Sequence, residues 1–190
     1  MRIIRNLTVA IIIMTSIMTQ GCNESQKASP APKTAAMNYD IKERDAFTIM
    51  GTQTRITSAD QKNPETYAKI WEAFEPYRTQ LRPISTGWQL YGITFATDKK
   101  DTFDYIAGMA VQTGTAKPDP NLLTHNIPAA KYAVFKCTGK DIDKTYQYIY
   151  SEWLPKSRYK LDKNARCFEQ YAPREWMIRP VYIYIPISPK

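Results

Sequence analysis

Two stretches of this chain share one wording: Thr66-Tyr67-Ala68-Lys69-Ile70-Trp71 and Thr145-Tyr146-Gln147-Tyr148-Ile149-Tyr150. Such a repeat constrains the fold more than any composition figure, because both copies must find equivalent places in the architecture. Each copy lies on an apolar stripe with helical spacing. The first stripe is Tyr67, Ile70, Trp71, Phe74 and Tyr77; the second is Ile142, Tyr146, Ile149, Tyr150 and Trp153. The spacing predicts a helix from about Pro64 to Leu81, capped by Asn63 with Pro64 in its first turn. It predicts a second from the cap Asp141 to about Trp153, stopped by Pro155.

Strand patterns flank both helices. Tyr39–Thr57 reads as one or two strands turning near Gly51, and Trp88–Ala96 and Thr102–Thr113 as a pair joined at Asp98-Lys99-Lys100-Asp101. After a loop from Gly114 to Pro120 the order returns, with strands over Lys131–Cys137, Arg166–Tyr171 and Val181–Ile187. The expected fold is α+β: two strand–helix–strand–strand repeats forming an antiparallel sheet. The seam between two such units is a common place for a pocket.

The chain opens with Arg2 and Arg5, an apolar run from Leu7 to Met18, and then Gly21-Cys22. Twelve residues, broken only by Thr8, Thr15 and Ser16, are short of the roughly 20 that span a bilayer. They suit a signal peptide. A small residue before a cysteine resembles a bacterial lipoprotein signal, with Cys22 as the lipidation site, although Thr19 stands where Leu is usual. Residues 1–21 are therefore expected to be a signal and 22–36, Pro- and Ala-containing without apolar period, a flexible tether. Residues 37–190 form the folded domain. That domain is expected in the cell envelope, lipid-anchored and facing the periplasm or exterior, with Asn23 after the cysteine favouring an outer membrane.

Residues 1–21 hold two of the 26 basic residues and none of the 18 acidic ones, leaving 24 − 18 = +6. These charges are scattered, so no nucleic-acid partner is expected. Cys137 and Cys167 could form a disulfide or remain two buried thiols. The single histidine, His125, sits in a loop-like context with no Cys or carboxylate at ligand spacing, so no metal site is expected. There is no G-x-S-x-G elbow and no Gly-rich phosphate loop among the seven dispersed glycines. Neither a cofactor nor a conventional catalytic residue is identifiable, and enzymatic activity is not the first expectation.

Five segments, in order, resemble the GyrI-like family of effector-binding domains. They are Met37-Asn38-Tyr39-Asp40-Ile41-Lys42 followed by Gly51; Phe103-Asp104-Tyr105-Ile106-Ala107-Gly108; and Ile127-Pro128-Ala129-Ala130-Lys131-Tyr132-Ala133-Val134-Phe135. Tyr148-Ile149-Tyr150 with Trp153-Leu154-Pro155 comes next, and then Phe168-Glu169-Gln170-Tyr171 with Tyr184-Ile185-Pro186-Ile187. The resemblance covers about residues 37–188. It implies a central groove between the repeats that binds small, often cationic and aromatic molecules, with a glutamate that maps to Glu169. Relatives include drug-sensing regulators, a gyrase inhibitor and hydrolases of strained toxins. With an export signal in place of a DNA-binding segment, binding of a small organic ligand is the expectation for this chain.

Strand alternation puts Cys167, Glu169 and Tyr171 on one face and Phe168 and Gln170 on the other. A partly desolvated carboxylate among aromatic faces counters a cation. The candidate ligand contacts are Glu169, Tyr171, Tyr105, Tyr91, Trp71 and Trp153. Asp104 and Glu152 are candidates for a second carboxylate, which a hydrolase would need. A third possibility is a structural envelope lipoprotein whose groove is filled by its own side chains.

Overall fold

The structure, a computed structural model, describes residues 37–172 and 180–190. The expected signal (1–21) and tether (22–36), with Cys22, lie outside the described residues. The strands are β1 (Tyr39–Arg44), β2 (Phe47–Thr57), β3 (Ser85–Ala96), β4 (Thr102–Val111), β5 (Leu123–Ile127), β6 (Ala130–Thr138), β7 (Tyr159–Leu161), β8 (Phe168–Tyr171) and β9 (Pro180–Pro189). Helix α1 spans Pro64–Leu81 between β2 and β3, and α2 begins at Ile142 between β6 and β7.

The two repeats are β2-α1-β3-β4 and β6-α2-β8-β9. In the sheet the strands lie in the order β1-β6-β9-β8-β3-β4-β2-β5, all neighbours antiparallel, with short β7 on β9. The repeats therefore meet at the β3–β8 pair in the middle. Their leading strands are exchanged: β1 pairs with β6 of the other repeat, and β5 with β2. This α+β antiparallel architecture is the expected one; the segment 39–57 forms two strands, β1 and β2, and β5 and β7 are additional.

Connection lengths force the sheet to curl. From β1 to β2 there are six strand spacings, roughly 29 Å if flat. Only Asp45 and Ala46 join them, and two residues reach about 10 Å. Pro128 and Ala129 impose the same closure between β5 and β6. The inside of the curl is a helix-free core of Ile49, Tyr91, Ile93, Ile106, Ile127, Tyr132, Val134 and Phe168. On the outer face, Ile70, Phe74 and Leu81 of α1 pack on the first repeat, and Ile142, Tyr146 and Ile149 of α2 on the second.

Helix α1 begins where Asn63 accepts a hydrogen bond from the Glu65 amide at 3.0 Å. Several local expectations are corrected. Gly51 is not a turn but lies inside β2, because a Cβ there would sit 2.1 Å from the Ala107 carbonyl of β4. The break falls at Asp45-Ala46 instead. Asp141 precedes α2, but its carboxylate accepts from the Thr138 hydroxyl rather than capping the helix. Pro155 does not stop the second helix. After α2 (Ile142–Tyr148) a π-helical turn (Ile149–Trp153) widens the ladder, and a last helical turn (Leu154–Lys156) accommodates the proline. His125 is on β5 rather than in a loop. The pairing left open for Cys137 and Cys167 is not made, since Cys137 is a free thiol.

Candidate functional site

At the seam, Gly92 of β3 stands directly opposite Glu169 of β8. Glu169 is 6% exposed. A Cβ on Gly92 would lie 2.1 Å from the Tyr105 hydroxyl and 2.8 Å from Glu169 Oε2. The absence of a side chain is thus what lets the Tyr105 ring, rising from β4, bring its hydroxyl beside the carboxylate. The Tyr146 hydroxyl of α2 donates to Glu169 Oε1 at 2.5 Å, and the Tyr171 hydroxyl reaches Oε2 at 3.5 Å.

Aromatic rings from both helices and the sheet surround this carboxylate. Trp71 of α1 meets Tyr171 edge-on, with centroids 5.3 Å apart, and Tyr67 meets Tyr105 at 5.1 Å. Trp71 also meets the Tyr105 ring edge-on, with centroids 6.5 Å apart. Tyr146 of α2 and Tyr150 of the π-helical turn stack at 6.2 Å, and the Tyr150 hydroxyl contacts Cys167 Sγ at 3.7 Å. The duplicated wording has a geometric meaning: Tyr67 with Trp71 and Tyr146 with Tyr150 are matched i, i+4 pairs, which share a helix face. In both helices that face is turned to the seam.

Burial holds the Glu169 carboxyl up to about 7; hydrogen bonds from Tyr146 and Tyr171 oppose this, and Asp143 adds to it. The phenols of Tyr105, Tyr146, Tyr150 and Tyr171 are all pushed upward by burial first and by Glu169 second. They therefore act as hydrogen-bond donors and not as anions. Among the described residues every ion pair lies elsewhere: Lys42–Asp40, Arg55–Asp104, Arg78–Glu75, Lys131–Glu43 and Lys156–Glu152. A buried carboxylate without a cation is costly, and a strongly raised carboxyl among aromatic rings makes Glu169 a candidate functional residue.

Glu169, Tyr171, Tyr105 and Trp71 are brought together. Tyr91 is not, which corrects its assignment to the pocket wall. Alternation along β3 turns it inside the curl, where its hydroxyl accepts from Arg44 Nη2 at 2.9 Å. Trp153 packs among Tyr39, Phe135 and Tyr159 in the core of the second repeat. Neither carboxylate considered for hydrolysis accompanies Glu169: Asp104 takes both Nε and Nη2 of Arg55, and Glu152 takes Lys156. Tyr67, Tyr146 and Tyr150 join the cluster from stripe positions that helical spacing assigns to a core. Their hydroxyls are the one signal that could have separated them. Gly92 carries no sequence signal beyond being a glycine in a strand. Among the described residues, no group of three His, Cys, Asp or Glu is placed to hold a metal.

A curled antiparallel sheet with two helices flanking a buried glutamate at a pseudo-symmetric seam defines the effector-binding class. Within it the chain belongs to the integron-associated effector-binding protein family, whose model matches residues 40–187. The GyrI-like resemblance is thereby shown. Solved structures share the fold at low identity. SAV2435 bound to tetraphenylphosphonium superposes with a TM-score of 0.62 at 16% identity, over 80% of this chain and 94% of that one. The integron cassette protein of Vibrio cholerae gives 0.52 at 20%, over 79% and 95%. A bacterial transcription regulation protein of Staphylococcus aureus MU50 gives 0.59 at 15%, over 80% and 99%. No curated protein sequence matches the chain.

Proposed function

We propose that this protein holds a cationic, aromatic or amphipathic small molecule at the seam between α1 and α2, with Glu169 as its counter-charge. The observation that carries this reading is the buried Glu169, which receives tyrosine hydroxyls but no cation from the described chain. An incoming organic cation would supply the missing charge, and the rings of Trp71, Tyr105 and Tyr171 would present their negative faces to it. Membership in an effector-binding family and the fold shared with a tetraphenylphosphonium complex support the same ligand class. The Gly21-Cys22 signal and the following tether support a lipid-anchored module in the cell envelope that sequesters or senses its ligand.

Tetraphenylphosphonium is the first probe, titrated into the purified protein while tryptophan fluorescence is followed. Micromolar binding that weakens tenfold or more in Glu169→Gln, about 1.4 kcal/mol, is expected. Equal affinity in both proteins would remove Glu169 from the site, and no binding by either would sink the reading. Lipidation is tested separately: Cys22→Ser should abolish incorporation of labelled fatty acid and release the protein from membranes.

A further inference from the structure

The opposite face of the seam carries a charge of the other sign. Gly92–Glu169 and Tyr91–Gln170 are consecutive cross-strand pairs of β3 and β8, so their side chains leave the sheet on opposite faces. Glu169 turns outward. Tyr91 and Gln170 turn inside the curl, where the Arg44 guanidinium donates to the Gln170 amide oxygen at 3.1 Å and to the Tyr91 hydroxyl at 2.9 Å. These two bonds leave part of its N–H fork unused among the described residues. The rings of Phe47, Tyr91, Phe168 and Tyr184 surround it, but no carboxylate pairs with it among the described residues. Aromatic faces attract a cation without neutralising it.

A second polar group at the same place has no partner. On the β1–β6 pair Arg44 stands opposite Ala130 and Lys42 opposite Tyr132, which makes Arg44 and Tyr132 diagonal neighbours on one face, roughly 7–8 Å apart and within reach of long side chains. They meet the same two rings. Arg44 lies 5.1 Å from the Phe168 centroid and 5.3 Å from that of Tyr184, and the Tyr132 ring lies 5.3 Å and 5.7 Å from them. Tyr132 is 0% exposed, and its buried hydroxyl makes no hydrogen bond among the described residues. Burial pushes that hydroxyl up to about 12, so it stays protonated and able to donate. Neighbouring acids are engaged elsewhere: Asp40 holds Lys42 at 3.6 Å, and Asp162 accepts from the Asn164 amide at 2.9 Å. A buried donor without an acceptor is costly, and an oxygen anion would satisfy it and the guanidinium together. We infer that the inner face at Arg44 binds an aromatic carboxylate, whose oxygens accept from Arg44 and Tyr132. A planar carboxylate matches the guanidinium fork, and the part-exposed rings of Phe47, Tyr182 and Tyr184 provide the wall for its aromatic part. This site shares no side chain with the one around Glu169 and does not depend on it.

The test compares 2-naphthoate with its uncharged amide, titrated by calorimetry into the wild-type protein, Arg44→Gln, Tyr132→Phe and Glu169→Gln. Naphthoate should bind the wild type about tenfold or more tightly than the amide. That preference should fall toward one in Arg44→Gln and in Tyr132→Phe, and persist in Glu169→Gln, whose side chain faces the other way. Tyr132→Phe removes only a hydroxyl without a partner, so without ligand its melting temperature should equal or exceed that of the wild type. This variant decides the matter even where Arg44→Gln fails to fold. A lower melting temperature would mean that the hydroxyl is already satisfied in the free protein, and overturns the inference. A wild-type preference near one, a preference that survives loss of Arg44 or of the Tyr132 hydroxyl, or one lost in Glu169→Gln overturns it as well. Inorganic phosphate is the competing probe: it should displace naphthoate poorly, and displacement at equal concentration would overturn the aromatic ligand class in favour of a small oxyanion.

Discussion

At the scale of single residues, the site depends on one carboxyl and one missing side chain. Glu169 is protonated more readily in the folded protein, at about 7, than its ordinary value of 4.5 allows in the unfolded chain. Its contribution to stability is therefore complete below about pH 4.5 and is lost as pH rises through 7. That span corresponds to about 3 kcal/mol at most, at about 1.4 kcal/mol per unit. Glu169→Gln keeps the shape without the charge, so its melting temperature should match wild type near pH 4.5 and exceed it increasingly toward pH 8. Binding should respond in the opposite sense, because a cation needs the ionised form: tetraphenylphosphonium affinity should rise between pH 5.5 and 8 in wild type and stay flat in the variant. Gly92→Ala tests the other half of the arrangement. Its methyl must displace Tyr105 and Glu169, costing about 1–3 kcal/mol in denaturant unfolding and at least tenfold in cation affinity.

The elements explain why these side chains converge. Helix α2 delivers Tyr146, and the π-helical turn that follows it delivers Tyr150 before the chain leaves at Ser157. Its end is held from a distance: the Lys190 ammonium donates to the carbonyls of Pro155 at 2.9 Å and Ser157 at 2.8 Å, with Leu154 at 3.4 Å. A cation at a helix C-terminus satisfies carbonyls that have no amide partner. Lys190→Ala should raise amide hydrogen exchange in the last turn of this helix while leaving α1 unchanged. Unaltered exchange there would mean that the lysine contacts carry no weight. Strand parity was legible from the start, since it correctly grouped Cys167, Glu169 and Tyr171 against Phe168 and Gln170. The same alternation would have excluded Tyr91 had its face been tied to Gly92, but a glycine leaves no pattern to read.

Across the whole molecule, the two repeats are fastened on both sides of the sheet. Outside the curl they share the Glu169 cluster. Inside it, the Arg44 guanidinium lies 4.0 Å from the Phe47 ring centroid and between 5.1 and 5.4 Å from those of Phe168, Tyr184 and Tyr91. It also donates to Gln170 at 3.1 Å and Tyr91 at 2.9 Å. One side chain at the end of β1 thus ties β2 and β3 to β8 and β9. Arg44→Ala should lower unfolding free energy by about 2 kcal/mol, from two hydrogen bonds and the cation–aromatic contacts. Arg44→Lys should recover only part, because an ammonium lacks the planar fork that reaches both partners; full recovery would reduce the contact to charge alone. The sequence by itself determined the two helices, the order of the main strands and the doubled plan, since these follow from local periodicity and from wording repeated along the chain. Tertiary structure decided the exchange of β1 and β5, the curl, and the meeting of Gly92, Tyr105, Tyr146 and Glu169. Those depend on which distant strands pair and how closely their backbones approach, and short-range pattern does not encode either distance.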